Sequence, residues 1–166
     1  KHKPDIICVS KGITGGVLPL GVTACHAHIA EAFGENNVFY HGHSYTANPI
    51  VCAAACASLD IINNENTLQK IQHITQSHHA FVQTINNHPA THRIQETGTI
   101  LAIDLKTNEQ PGYTNSIRLQ AINYFKKQGI LIRPLGNVLY ILPPYCISTD
   151  ELKYVYQRIL NFINTH

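Results

Sequence analysis

The chain opens on an apolar run, Ile6-Ile7-Cys8-Val9, stopped by Ser10, Lys11 and Gly12, with Gly15 and Gly16 close behind. A short apolar run bounded by turn residues predicts a buried strand of an α/β protein. Residues 17–24 form a second β-rich run, broken by Pro19 and Gly21, and predict a strand or a broken strand pair. Residues 26–33 predict a short helix stopped by Gly34, and residues 35–37 a turn. Asn48-Pro49 is a helix start, with Asn at the cap and Pro in the first turn. Residues 50–57 are small and apolar on every face, which predicts a helix buried all round, continuing to about Ile62. The polar Asn63-Asn64-Glu65-Asn66 then predicts a turn and a boundary between domains 1–62 and 63–166.

From Thr67 the period changes. Leu68, Ile71, Thr75, His78, Val82 and Ile85 recur at helical spacing and predict an amphipathic helix ending near Asn86-Asn87. Residues 94–97 and 99–105 predict strands, with Gly98 as a bulge or bend. Residues 108–113 are a loop. Asn115 is predicted to cap a helix through Lys127, closed by Gly129, with Lys126 and Lys127 at its negative end. Residues 130–133 and 138–142 predict two short strands around Pro134-Leu135-Gly136-Asn137. Ser148-Thr149-Asp150-Glu151 is a capping box. The last helix carries Leu152, Val155, Tyr156, Ile159, Leu160 and Ile163 on one stripe. The order α, β-β, α, β-β, α predicts a small sandwich, an antiparallel sheet with helices on one face. The first domain predicts the end of a larger parallel sheet whose strands need further partners.

Composition narrows the classes. An apolar fraction of 44% supports a core in a chain of 166 residues. A charged fraction of only 13% suggests faces that another part of a protein covers. A net charge of +2 makes no electrostatic case for nucleic acid or anionic lipid. No apolar run reaches membrane-span length. The five cysteines, Cys8, Cys25, Cys52, Cys56 and Cys146, lie in apolar surroundings with no paired spacing. They predict buried, reduced thiols and a reducing, cytoplasmic compartment. The 11 histidines are scattered, without carboxylates at ligand spacing, so no metal site is expected.

Lys11 is the candidate for chemistry. It stands at the carboxyl end of the first predicted strand, where open α/β sheets place their sites. An amine held against apolar neighbours sheds its charge more readily and becomes a nucleophile, as a Schiff base with an aldehyde cofactor requires. Glycines after it allow a tight turn and close approach to a cofactor. The alternative is a lysine that points into water from a loop. Three stretches in register bear on the choice. Asp5, the apolar pair, Ser10-Lys11 and Thr14-Gly15-Gly16 resemble the lysine motif of the class III aminotransferases, which use pyridoxal 5′-phosphate. Tyr40-His41-Gly42-His43-Ser44-Tyr45-Thr46-Ala47-Asn48-Pro49 resembles their next motif. Residues 129–136, Gly-Ile-Leu-Ile-Arg-Pro-Leu-Gly, with Tyr140-Ile141-Leu142-Pro143-Pro144-Tyr145, are similar to the branch of that family acting in biotin biosynthesis.

The resemblance covers the whole chain and implies the fold: a fold-type I transferase, seen as the end of its large domain plus the small carboxyl-terminal α/β sandwich. It implies a fragment, since the family's lysine lies past the midpoint of longer chains. It implies transfer of an amino group from S-adenosylmethionine or lysine to 8-amino-7-oxononanoate, in a homodimer with sites at the subunit interface. By the same resemblance Lys11 is catalytic and binds the cofactor. Ser44, usually threonine in the family, reaches the cofactor phosphate of the other subunit; spacing alone leaves a plain loop serine open. Arg133 binds the keto-acid carboxylate, and a buried strand-end arginine is costly unless an anion meets it; the alternative is an arginine paired with a protein carboxylate. Gly42 and His43 border the donor site, where His43 replaces a frequent proline. Pro134, Leu135 and Tyr140 shape the pocket wall. The family's aspartate for the pyridine nitrogen, its Gly-Ser phosphate cup and its stacking aromatic ring lie upstream of the residues present here. Two alternatives stay open: another class III ω-aminotransferase, and a non-catalytic folded or dimerising unit.

Overall fold

A computed structural model describes residues 3–64 and 66–165. It divides into two compact units, Lys1–Asn66 and Thr67–His166.

In the first unit, strand β1 (Ile6–Ser10) pairs antiparallel with β2 (Gly21–Cys25), in the register Ile6↔Cys25 to Ser10↔Gly21. The strand at residues 6–10 forms as expected, but its partner is antiparallel, and it is not buried. Ile6, Ile7 and Val9 are 52%, 48% and 43% exposed, because a two-stranded sheet has two open faces. Between the strands, Lys11–Thr14 makes a 3₁₀ turn closed by Gly15 in the left-handed conformation. A short helix, α1 (Ala27–Ala30), follows β2.

Helix α2 (Pro49–Asn64) starts where the Asn-Pro pair places it: the Asn48 Oδ1 accepts from the Ile50 N–H at 3.0 Å. It runs past Ile62 into the stretch expected as a turn; Glu65 lies outside the described residues. Of its side chains only Ala55 is buried, while Ile50, Leu59, Ile61 and Ile62 are exposed. The helix buried all round is therefore not what this unit forms by itself. All five cysteines are free, and all are exposed rather than buried. No helix among the described residues is long and apolar enough to cross a membrane.

The second unit is a three-stranded antiparallel sheet in the order β3-β4-β5, with β3 Thr91–Thr97, β4 Ile100–Leu105 and β5 Val138–Ile141. Helices α3 (Thr67–Ile85), α4 (Ile117–Lys127) and α5 (Thr149–Thr165) supply the rest of its core. Leu101, Ile103 and Leu105 of β4 are buried and alternate with half-buried Ala102 and Asp104, so one face of the sheet meets the helices. Phe125 of α4 and Phe162 of α5 are fully buried, with ring centroids 5.4 Å apart. Each such side chain contributes roughly 1.5–3 kcal/mol by leaving water.

Several local expectations shift. The inner stripe of α3 runs through Ile74, His78, Phe81 and Ile85, and Leu68 is 72% exposed. Of the two expectations for Gly98 (φ +55°), the bend holds: it turns the hairpin between Thr97 and Ile100, and the ladder irregularity falls instead between Thr91 and Arg93. Residues 130–133 form no strand, so the sheet has three strands where four were expected. The Ile130 N–H is taken by the Phe125 carbonyl at 2.9 Å, and Pro134 has no N–H to give a ladder. The helix caps match. Asn115 Oδ1 accepts from the Ile117 N–H at 3.1 Å. The Glu109 carboxylate accepts from the Ser116 hydroxyl and N–H, which hold it below the usual carboxylate range.

Candidate active site

Lys11 follows β1 directly and opens the 3₁₀ turn at φ +54°, in the left-handed region that non-glycine residues seldom occupy. The turn beyond it is pinned by Thr14, which is 2% exposed. Its hydroxyl donates to the Leu18 carbonyl, and its oxygen accepts from the Leu18 N–H at 3.4 Å. Helix α2 braces the same turn: the Ser58 hydroxyl lies 3.7 Å from where a Cβ on Gly15 would sit. The Lys11 side chain is exposed, and its amine has no hydrogen-bond or ion-pair partner among the described residues. The apolar enclosure expected around Lys11 is thus absent from this unit, because the hairpin that carries it is itself open on both faces.

The second candidate stretch is a turn built on a residue that sequence reasoning passed over. Thr46 Oγ1 accepts from the His43 N–H at 2.9 Å, and the Thr46 N–H returns to the His43 carbonyl at 2.9 Å. The His43 ring nitrogen Nδ1 accepts from the Tyr45 N–H at 3.2 Å. These bonds fold residues 43–46 tightly and leave Ser44 exposed, with a hydroxyl that has no partner among the described residues. Gly42 and His43 are exposed beside it.

Arg133 and Leu135 belong to the second unit. Arg133 is exposed, not buried at a strand end, so no buried charge there demands an anion. It lines an open groove of about 740 Å³ with Arg118, Ile132, Tyr140, Leu142 and Pro143. Leu135, 48% exposed, is not in its wall, and Pro134 is buried. Arg118 was not foreseen. Its guanidinium carbon lies 5.1 Å from the Tyr113 ring centroid, and its buried Nε has no hydrogen-bond partner among the described residues. Two arginines in an otherwise apolar groove, neither ion-paired among the described residues, suit an anion carrying an aliphatic chain.

Lys11 and Ser44 carry the group types, a primary amine and a hydroxyl, that an aldehyde and a phosphate would take, and both are exposed. Among the described residues the Lys11 amine, just past the end of β1, and the Ser44 hydroxyl are both without partners.

The family model described as aminotransferase class-III matches residues 1–163. The chain is 42% identical over 165 residues to the adenosylmethionine-8-amino-7-oxononanoate aminotransferase of Synechococcus elongatus, covering 98% of this chain and 38% of that protein. The Methanocaldococcus jannaschii protein of the same name has a crystal structure that superposes with a TM-score of 0.88 at 31% identity, over 98% of this chain and 39% of that one. An omega transaminase from Pseudomonas jessenii, solved in complex with PMP, shares the fold at a TM-score of 0.83 and 22% identity. The chain therefore spans about two fifths of the length of the relatives it matches.

Proposed function

The chain belongs to the class III aminotransferase family, and on that premise we propose that the protein carrying it moves an amino group onto 8-amino-7-oxononanoate in biotin biosynthesis. The product is 7,8-diaminononanoate. Its fold is the α/β fold of fold-type I aminotransferases over the stretch it spans. The donor is S-adenosylmethionine or lysine; the names of the relatives favour the first.

The observation that carries the reading is the Lys11 amine, free of partners among the described residues, on a turn that Thr14 and α2 hold in place. The family uses pyridoxal 5′-phosphate, whose ring, when bound, stabilises negative charge on the substrate carbon. Lys11 holds the cofactor and, once its amine is free, takes and returns a proton at Nζ. An arginine there would stay charged and could do neither. Ser44 donates to the phosphate of the partner subunit's cofactor, in a homodimer. Arg133 receives the keto-acid carboxylate through its planar fork, and Tyr140 borders the same groove. Gly42 and His43 border the donor. The free cysteines suit a reducing, cytoplasmic setting.

The exposure of Lys11 supports a second reading for these 166 residues by themselves, as a folded unit without activity. One experiment separates the two. The 166-residue chain and the full-length protein are each mixed with pyridoxal 5′-phosphate, reduced with borohydride and mapped by mass spectrometry. A stable label at Lys11 is expected in the full-length protein. A full-length protein labelled elsewhere, or nowhere, defeats the assignment; a label missing only from the short chain assigns it the second reading. Assay with other keto acids as acceptors then separates the biotin branch from other ω-aminotransferases.

A further inference from the structure

Arg133 stands in a stretch with little backbone support. At one end Ile130 is tied to Phe125; at the other Leu135 and Val138 exchange both backbone bonds, at 2.9 and 3.0 Å. Among the described residues, 131–134 make no backbone–backbone hydrogen bond between these ties. Arg133 lies between Ile132, which packs against the core, and buried Pro134, which leads straight into the turn that follows, so its placement is tied to that turn.

One side chain joins that turn to two other segments. Asn137 is 4% exposed and commits its whole amide. Its Nδ2 donates to Asp104 Oδ1 and, at 3.0 Å, to the Leu105 carbonyl. Its Oδ1 accepts from the Gly112 N–H at 3.1 Å. The Asn137 carbonyl accepts from the Leu105 N–H at 2.9 Å, docking the turn on the end of β4. Gly136 (φ +61°) closes the fit: a Cβ there would fall 1.8 Å from the Gly112 carbonyl oxygen. The 134–137 turn, the 108–113 loop and β4 are thus interlocked through one amide. A buried amide with every bond made resists displacement, since any shift leaves a polar group unpaired.

We infer that Asn137 is a positioning residue for the keto-acid carboxylate: it touches no substrate and fixes the turn from which Arg133 reaches the groove. The inference rests on the reading of Arg133 as the carboxylate's partner. A displacement of about 1 Å in a positioning element is enough to cost of the order of a hundredfold in some enzymes.

The test uses the full-length enzyme. Asn137→Asp is nearly isosteric but turns a carboxylate oxygen toward Asp104 and the Leu105 carbonyl. We expect KM for the keto acid to rise about tenfold, with kcat and the donor KM changed less than about threefold. Arg133→Ala raises the same KM at least as far. In the double variant, Asn137→Asp adds nothing to Arg133→Ala, because it acts through that residue. An unchanged KM in Asn137→Asp, equal loosening toward donor and acceptor, or an additive double variant overturns the inference while leaving the function standing. An unchanged KM in Arg133→Ala removes Arg133 from the site, and the inference with it. If Asn137→Asp does not fold, Asp104→Ala removes one acceptor at a half-buried sheet position and is read the same way, with a KM rise of about threefold.

Discussion

His78 Nδ1 and the Tyr156 hydroxyl meet at 2.6 Å in the core of the second unit, joining α3 to α5. The other ring nitrogen, Nε2, lies 3.0 Å from the Thr99 carbonyl, which can only accept. Nε2 therefore carries the proton, Nδ1 accepts, and Tyr156 donates. His78 must be neutral for this arrangement to hold. Burial keeps its pKa below the ordinary histidine value, outweighing the Thr99 carbonyl and the Glu96 charge, which act the other way. Burial likewise pushes the Tyr156 hydroxyl up, keeping it a donor.

Stability should follow this ring. The unfolded chain takes up the His78 proton near the ordinary value of about 6.5, and the folded chain only at lower pH. The contribution is thus complete above that value and is lost as pH falls toward the folded one. Thermal unfolding of the chain should show Tm declining between about pH 7.5 and 5. His78→Gln should flatten that slope; equal slopes in both proteins would refute the assignment. Tyr156→Phe leaves Nδ1 unpaired and should cost about 1–3 kcal/mol at neutral pH.

A second pH effect has the opposite chemistry and a lower range. The Glu151 carboxylate accepts from the Ser148 N–H at 2.8 Å and its hydroxyl at 2.7 Å, while Ser148 Oγ accepts from the Glu151 N–H at 3.2 Å. The Ser148 N–H first, and its hydroxyl second, hold Glu151 below the usual carboxylate range. The reciprocal cap is therefore complete above the unfolded carboxylate value and lost as pH falls through the folded one. Ser148→Ala should lower Tm at pH 7 by roughly 2–6 °C, and the gap from wild type should narrow below about pH 4. A gap that persists undiminished in acid would show that the carboxylate plays no part.

The caps were legible because their chemistry is local. Ser148 and Glu151 are three residues apart, and Asn48 and Asn115 each bond two residues onward. What was misread depends on distant partners. Residues 130–133 have strand composition, but strand formation needs a ladder, and Phe125 takes the Ile130 N–H instead. Leu68 and Ile74 are equally apolar, and tertiary packing alone chose the phase of α3. Asn137 reads as a turn residue; its partners Gly112 and Asp104 lie 25 and 33 positions away. Lys11, Ser44 and Arg133 stood out through motifs, yet the openness of Lys11 did not, since enclosure depends on whatever covers the β1–β2 faces.

The backbone of Lys11 offers a last test, of stability against chemistry. At φ +54° a side chain bearing a Cβ costs about 1–2 kcal/mol that glycine does not incur. Lys11→Gly and Lys11→Ala both remove the amine, so comparing them isolates the backbone. Glycine gives part of the gain back through its freer unfolded chain. Lys11→Gly should therefore exceed Lys11→Ala in denaturant-measured stability by about 0.5–1 kcal/mol, and neither should form the borohydride-fixed adduct at position 11. Equal stability would mean that the left-handed turn carries no strain. A greater stability for Lys11→Gly would mean that this position holds a lysine at a cost to the fold, as a residue retained for its amine should.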